Sequence, residues 1–206
     1  MKEEKDYIRD IAEIRSMMER SSKFLSLSGW AGIMAGIYAL AGAFMAYKVF
    51  QFNPQEIGSD TSEGLSTGTL EIILLAIIIL ALALVTAIFV SYREANKRGE
   101  KLWNATSKRL AISMAVPVIV GGILILILIA KGMIGLVAPF SLIFYGLALY
   151  NAGKYTYLEV TALGFVQICL GLISSYVVEY GLLIWALGFG VVHIIYGVYM
   201  HYRYEK

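Results

Sequence analysis

Gln167 and His193 are the two side chains within the most apolar stretches of this 206-residue sequence whose types could do chemistry there. An amide or imidazole surrounded by hydrocarbon costs free energy unless it is paired. Such a residue therefore marks either a ligand or proton site or an interhelical hydrogen bond. The segments that carry them are joined by a very short turn, so as helices they run antiparallel. At ~1.5 Å per residue the two side chains differ in depth by roughly 5 Å, close enough for a direct or water-mediated bond. Ser174 and Gly171 share the helical face of Gln167, while Gly190, Tyr196 and Gly197 share that of His193. With Tyr145 on the preceding segment, the candidate ligand-binding set is Gln167, His193, Ser174, Tyr145 and Tyr196. An imidazole can take up a proton near neutral pH, which would make this a proton-linked pocket. Alternatively it is interhelical glue, worth ~0.6 kcal/mol per bond on average.

The other reactive residue types have structural explanations. Thr156-Tyr157-Leu158-Glu159 has the spacing of a capping box, with Glu159 reaching back to the start of its helix. His201 lies among Tyr199, Tyr202 and Tyr204 in what reads as an interfacial aromatic belt. His193 and His201 are eight residues apart, or ~12 Å along a helix, too far to share a metal ion. Cys169 sits among Ile168, Leu170 and Leu172, without the electropositive setting a nucleophile needs. No HExxH, nucleophile elbow or phosphate-binding glycine loop occurs. The expectation is a non-enzymatic protein with no catalytic residue, metal or cofactor.

What positions these residues follows from composition. Fifty-nine percent of the chain is AVILMFWYC and 16% is charged, with a mean hydropathy of +0.71. Soluble domains run at about 45–50% apolar and about 25% charged. That excess would coat the surface of a soluble fold, so the sequence reads as an all-α polytopic membrane protein. Six stretches approach the ~20 apolar residues a bilayer crossing takes: residues 27–50, 70–92, 110–130, 133–150, 157–176 and 181–200. They define a transmembrane domain over 24–206, expected to pack as a six-helix bundle. Of 17 Lys and Arg residues only Lys48 and Lys131 fall on one side, which places both termini in the cytoplasm by the positive-inside rule. Residues 1–23 lack a cleavable signal, so the first membrane helix is expected to direct insertion.

Two flanking pieces invite contacts. Tyr7, Ile11, Ile14 and Met18 recur at heptad-like spacing, so residues 1–23 read as a cytoplasmic amphipathic helix. It packs on the protein's own loops, or it binds a second copy or a membrane partner. Arg93, Lys97, Arg98, Lys101, Lys108 and Arg109 surround Trp103 in a basic segment. This is ordinary interfacial charge or a site for anionic lipid headgroups, and is too short for nucleic acid.

Ala31, Ala35, Ala39 and Ala43 form a small-residue ridge on the first helix, suited to helix packing or oligomer contact. Ile-x-x-Gly recurs in five segments, at Ile33/Gly36, Ile119/Gly122, Ile143/Gly146, Ile168/Gly171 and Ile194/Gly197. Either duplicated hairpins or a composition rich in Ile and Gly produces this. Pro117 and Pro139 are expected to kink the third and fourth helices.

Residues 15–29 (RSMMERSSKFLSLSG), 99–109 (GEKLWNATSKR) and 186–197 (ALGFGVVHIIYG) resemble an uncharacterised family of small six-helix bacterial inner-membrane proteins. The resemblance implies the six-helix fold and a bacterial inner membrane, and brings no ligand or active residue. The glycine spacing is also similar to six-helix acid-resistance membrane proteins. The layout is similar to small substrate-binding subunits of vitamin uptake systems. Two functions are therefore expected: action through helix packing or assembly, or a small-solute or ion carrier with a pocket near Gln167 and His193.

Overall fold

The computed structural model describes residues 28–50, 67–97, 99 and 103–205. The heptad segment with Tyr7, Ile11, Ile14 and Met18, and the basic residues Arg98 and Lys101, lie outside them. Among the described residues six helices are long and apolar enough to cross a membrane. These are α1 (Gly29–Lys48), α2 (Thr67–Lys97), α3 (Ala105–Ala130), α4 (Val137–Ala152, which spans Ile134–Tyr155 with the 3-10 turn at each end), α5 (Leu158–Tyr176) and α6. The last runs through Gly181–Trp185, a π-helical stretch Ala186–Val192 and His193–Tyr204.

Helix ends extend beyond the apolar stretches wherever polar residues can cap them. The α3 helix starts five residues before its apolar run because Asn104 and Ser107 cap each other reciprocally, each backbone N–H donating over 2.8 Å to the other's side chain. Gly132, at φ +72, turns the chain from α3 towards α4 in a conformation that glycine adopts without strain. Pro139 falls in the first turn of α4, where its missing N–H has no intrahelical partner to lose, so the expected kink has no cause there. Pro117 does lie inside α3. The α5 helix begins at Leu158, with Tyr157 as its N-cap and no cap from the Tyr157 side chain. Glu159 accepts from the Tyr204 hydroxyl at 2.9 Å and pairs with Arg203 at 3.7 Å.

The most extensive packing joins α4 to α5 and α1 to α6, while α3 lies on α4 and α2 on α1. The recurrent Ile-x-x-Gly spacing has a reciprocal role in both principal pairs. A Cβ on Gly36 would lie 2.6 Å from Ile194 Cγ1 and 2.6 Å from the Gly190 carbonyl oxygen. One on Gly197 would lie 2.8 Å from Ile33 Cγ1 and 2.5 Å from the Gly29 oxygen. In the other pair, Gly146 faces Ile168 and the Gly164 oxygen at 2.8 and 2.7 Å. Gly171 faces Ile143 and the Pro139 oxygen at 2.6 and 2.9 Å. Each helix thus offers a carbonyl, an isoleucine four residues on and a glycine three further. The isoleucine of one helix seats on the glycine of its antiparallel partner. Without side chains at the glycines, the backbones approach closely enough for Cα–H to meet carbonyl oxygen.

The ridge on α1 is only half used in this way. Ala39 and Ala43 are buried, but Ala31 and Ala35 are half-exposed, and the closest backbone approach runs through Gly29, Gly32 and Gly36. The fifth copy, on α3, faces outward: Ile119 is exposed and nothing lies within 4 Å of a Cβ built on Gly122. Thr86, the polar residue midway along α2, bonds to the Tyr38 hydroxyl on α1 at 3.2 Å.

Candidate functional site

The structure brings Tyr145, Gln167 and His193 together where α4, α5 and α6 meet. Tyr145 stands one residue before Gly146, and Gln167 and His193 each stand one residue before the isoleucine of the repeated unit. The packing that seats the isoleucines therefore sets these side chains at one level. Gln167 is fully buried and His193 is 3% exposed. The Tyr145 hydroxyl lies 3.0 Å from His193 Nε2. The Gly188 carbonyl oxygen lies 2.9 Å from His193 Nδ1 and 2.8 Å from Gln167 Nε2.

Proton counting fixes who donates. A carbonyl only accepts, so His193 carries its proton on Nδ1 and donates it to Gly188, leaving Nε2 to accept from Tyr145. The Gln167 amide nitrogen donates to the same carbonyl. The 3.2 Å approach between Gln167 Nε2 and His193 Nδ1 is then two donors meeting over one acceptor. The anticipated Gln167–His193 contact exists, but Gly188 mediates it. Two features escaped the sequence reading: the Gly188 carbonyl, and the ring of Phe189 stacked on His193 at 5.7 Å and 14°. The only signal was the run Gly188-Phe189-Gly190, within the π-helical stretch. Such stretches recur at functional sites. Gly188 also has no room for a side chain, since a Cβ there would lie 2.6 Å from Gln167 Oε1.

Ser174 and Tyr196 are not part of this junction. Ser174 is fully buried two turns along α5, ~10.5 Å away. Its Oγ and the Gln167 Oε1 are buried without a hydrogen-bond partner. Tyr196 lies one turn from His193 towards the end of α6, against a core of Leu149, Tyr157, Val160, Leu163 and Met200 that Tyr145 and Tyr204 also flank. Of the lipid-headgroup candidates, Arg93, Lys97, Trp103, Lys108 and Arg109 are all exposed. They belong to two helix ends: Arg93 sits over Phe89 at 5.9 Å and Lys97 pairs with Glu94 at 3.6 Å on α2, while Lys108 and Arg109 open α3.

A second polar cluster ties the start of α1 to the end of α6. Glu205 accepts from the Gly29 N–H and from His201 Nδ1, both at 2.6 Å, and from Ser28. A carboxylate there also complements the positive end of the α1 dipole. Burial works against the ionised carboxylate, but the bonds from Ser28, His201 and Gly29 outweigh it and hold the Glu205 carboxyl below its ordinary value of 4.5. Its contribution to stability is therefore complete above that value and is lost as pH falls through the lowered one. The melting difference between wild type and Glu205→Gln should stay constant from pH 8 to about 5 and shrink at more acid pH. A difference that grows on acidification would contradict the clamp.

No protein-family model, curated protein or solved structure matches this chain.

Proposed function

We propose that this chain is a non-enzymatic, multi-pass protein of a bacterial inner membrane, with both termini cytoplasmic, that acts through assembly in the bilayer. One observation carries the reading: packing is divided unequally among the helices. The α1, α4, α5 and α6 helices interlock through backbone contacts, whereas none of the most apolar 18-residue window of α2 is buried. A helix held along one neighbour, with Val85, Ile88 and Phe89 exposed, leaves a broad surface for a second copy, a membrane partner or lipid. The interlocked helices form a bundle that displays α2 and the outward face of α3. The segment before Ser28, if amphipathic, adds a further contact.

Single cysteines at Val85 and Ile88, in a Cys169→Ser background, test this. Crosslinking in native membranes should yield a discrete higher-mass species from these positions and none from a cysteine at buried Ala39. A ladder without discrete bands, or no adduct, overturns assembly through α2.

The carrier reading rests on a different observation. Two polar atoms are buried without partners, Gln167 Oε1 at the Tyr145–His193 junction and Ser174 Oγ two turns further along α5. An unpaired buried acceptor costs about 1–3 kcal/mol, a cost that a bound solute or water would remove. Proteoliposome flux that His193→Gln abolishes would favour a carrier over assembly.

A further inference from the structure

We propose that His193 is a proton-binding site, entered from the Glu159–Tyr204 end of the helices through Tyr196 and Tyr145 and closed towards the opposite end. It stands apart from both readings above, since a bound proton requires neither a partner nor a transported solute.

The closed side follows from the hydrogen-bond inventory. His193 Nδ1–H is committed to the Gly188 carbonyl, and the Gln167 amide donates to that same oxygen. Neither group releases and replaces a proton as a hydroxyl does. The imidazole's one available lone pair is on Nε2, and it faces the Tyr145 hydroxyl. A hydroxyl both donates and accepts, so it can hand a proton on. As the Nε2–H bond forms, the Tyr145 O–H bond breaks, and a second proton arrives on the same oxygen. Tyr145 is restored, and the net change is one solvent proton on the imidazole.

Among the described residues, hydroxyl groups that could deliver the second proton lie towards Glu159 and Tyr204. Tyr196, Tyr145 and Tyr204 all pack against the cluster of Leu149, Tyr157, Val160, Leu163 and Met200. Glu159 is partly exposed and accepts from Tyr204 at 2.9 Å, with Arg203 at 3.7 Å. A carboxylate touching water is the usual group for collecting protons. The groups that face His193 are thus Tyr145 from α4, Gln167 from α5 and Phe189 from α6. The α1 helix contributes the uncharged backbone around Gly32, where an added Cβ would lie 3.3 Å from the His193 carbonyl oxygen.

The test uses the full chain in lipid with His201→Asn, so that His193 is the single histidine, and ring-nitrogen NMR as the readout. At neutral pH the spectrum should show the Nδ1–H tautomer with Nε2 unprotonated. On acidification the ring should become doubly protonated. After a pH jump, Tyr145→Phe should slow that conversion at least tenfold, and Ser175→Ala, near the opposite end of α5, should leave it unchanged. A melting midpoint close to the parent's confirms that Tyr145→Phe remains folded. Three results would each overturn the site or its entry: an Nε2–H tautomer, a ring unchanged from pH 8 to 4, or protonation at parental speed in Tyr145→Phe.

Discussion

Gly164→Ala should lower the melting midpoint of the detergent-solubilised protein by about 3–10 °C, from an overpacking cost of ~1–3 kcal/mol. The added methyl would sit 2.6 Å from the Tyr150 nitrogen and 2.7 Å from the Gly146 oxygen, with the Leu149 carbonyl carbon at 3.1 Å. All three are backbone atoms of α4, so no rotamer change relieves the overlap and the helices must separate. Separation also unseats Ile168 from Gly146 and Ile143 from Gly171. Gly29→Ala should behave alike, because its methyl would meet the Gly197 oxygen and the His201 nitrogen, the same two atom types in the other pair. Gly122→Ala is the control. It meets nothing within 4 Å and removes a helix penalty of ~1 kcal/mol, so its midpoint should hold or rise. Equal midpoints for the Gly164 and Gly122 variants would show that close backbone packing does not hold α4 to α5.

These glycines were visible in the sequence as a spacing, but their partners were not. Periodicity identifies a helical face without saying which of five other helices covers it. The sequence reading therefore made Gln167 and His193 neighbours through the short 176–181 turn, whereas α5 packs most closely on α4 and α6 on α1. Hydropathy located all six helices but misplaced the start of α3 and the ends of α2 and α6. Those turns consist of polar and charged residues such as Ser107 and Arg203, which are helical because they cap or pair. The long-range partners of Glu159 were missed for a related reason. Its capping-box spacing was local, but the donor that reaches it, Tyr204, comes from 45 residues away. The π-helical stretch left no hydropathy signal at all, so the Gly188 carbonyl that organises the site could not be anticipated.

That carbonyl allows the proton arrangement to be tested through the sign of two couplings. Tyr145→Phe strands His193 Nε2 as a buried acceptor, and His193→Leu strands the Tyr145 hydroxyl; each should cost about 1–3 kcal/mol. Combining them removes both stranded groups. The double variant should be less destabilised than the sum, by up to the ~1.7 kcal/mol seen for the strongest hydrogen-bond couplings in membrane proteins. Gln167 and His193 should couple in the opposite sense. They donate to one oxygen, so either alone keeps Gly188 satisfied, and losing both leaves a buried carbonyl without these donors. Gln167→Leu with His193→Leu should therefore cost more than the sum of its parts. Reversible unfolding in mixed micelles, measured on the wild type, the two single variants and the double variant of each pair, gives both values. If Gln167 bonded directly to the imidazole, its coupling would share the sign of the Tyr145 pair. That outcome would reverse the assignment of the Nδ1 proton, and with it the reason that Nε2 is the atom facing Tyr145 as an acceptor.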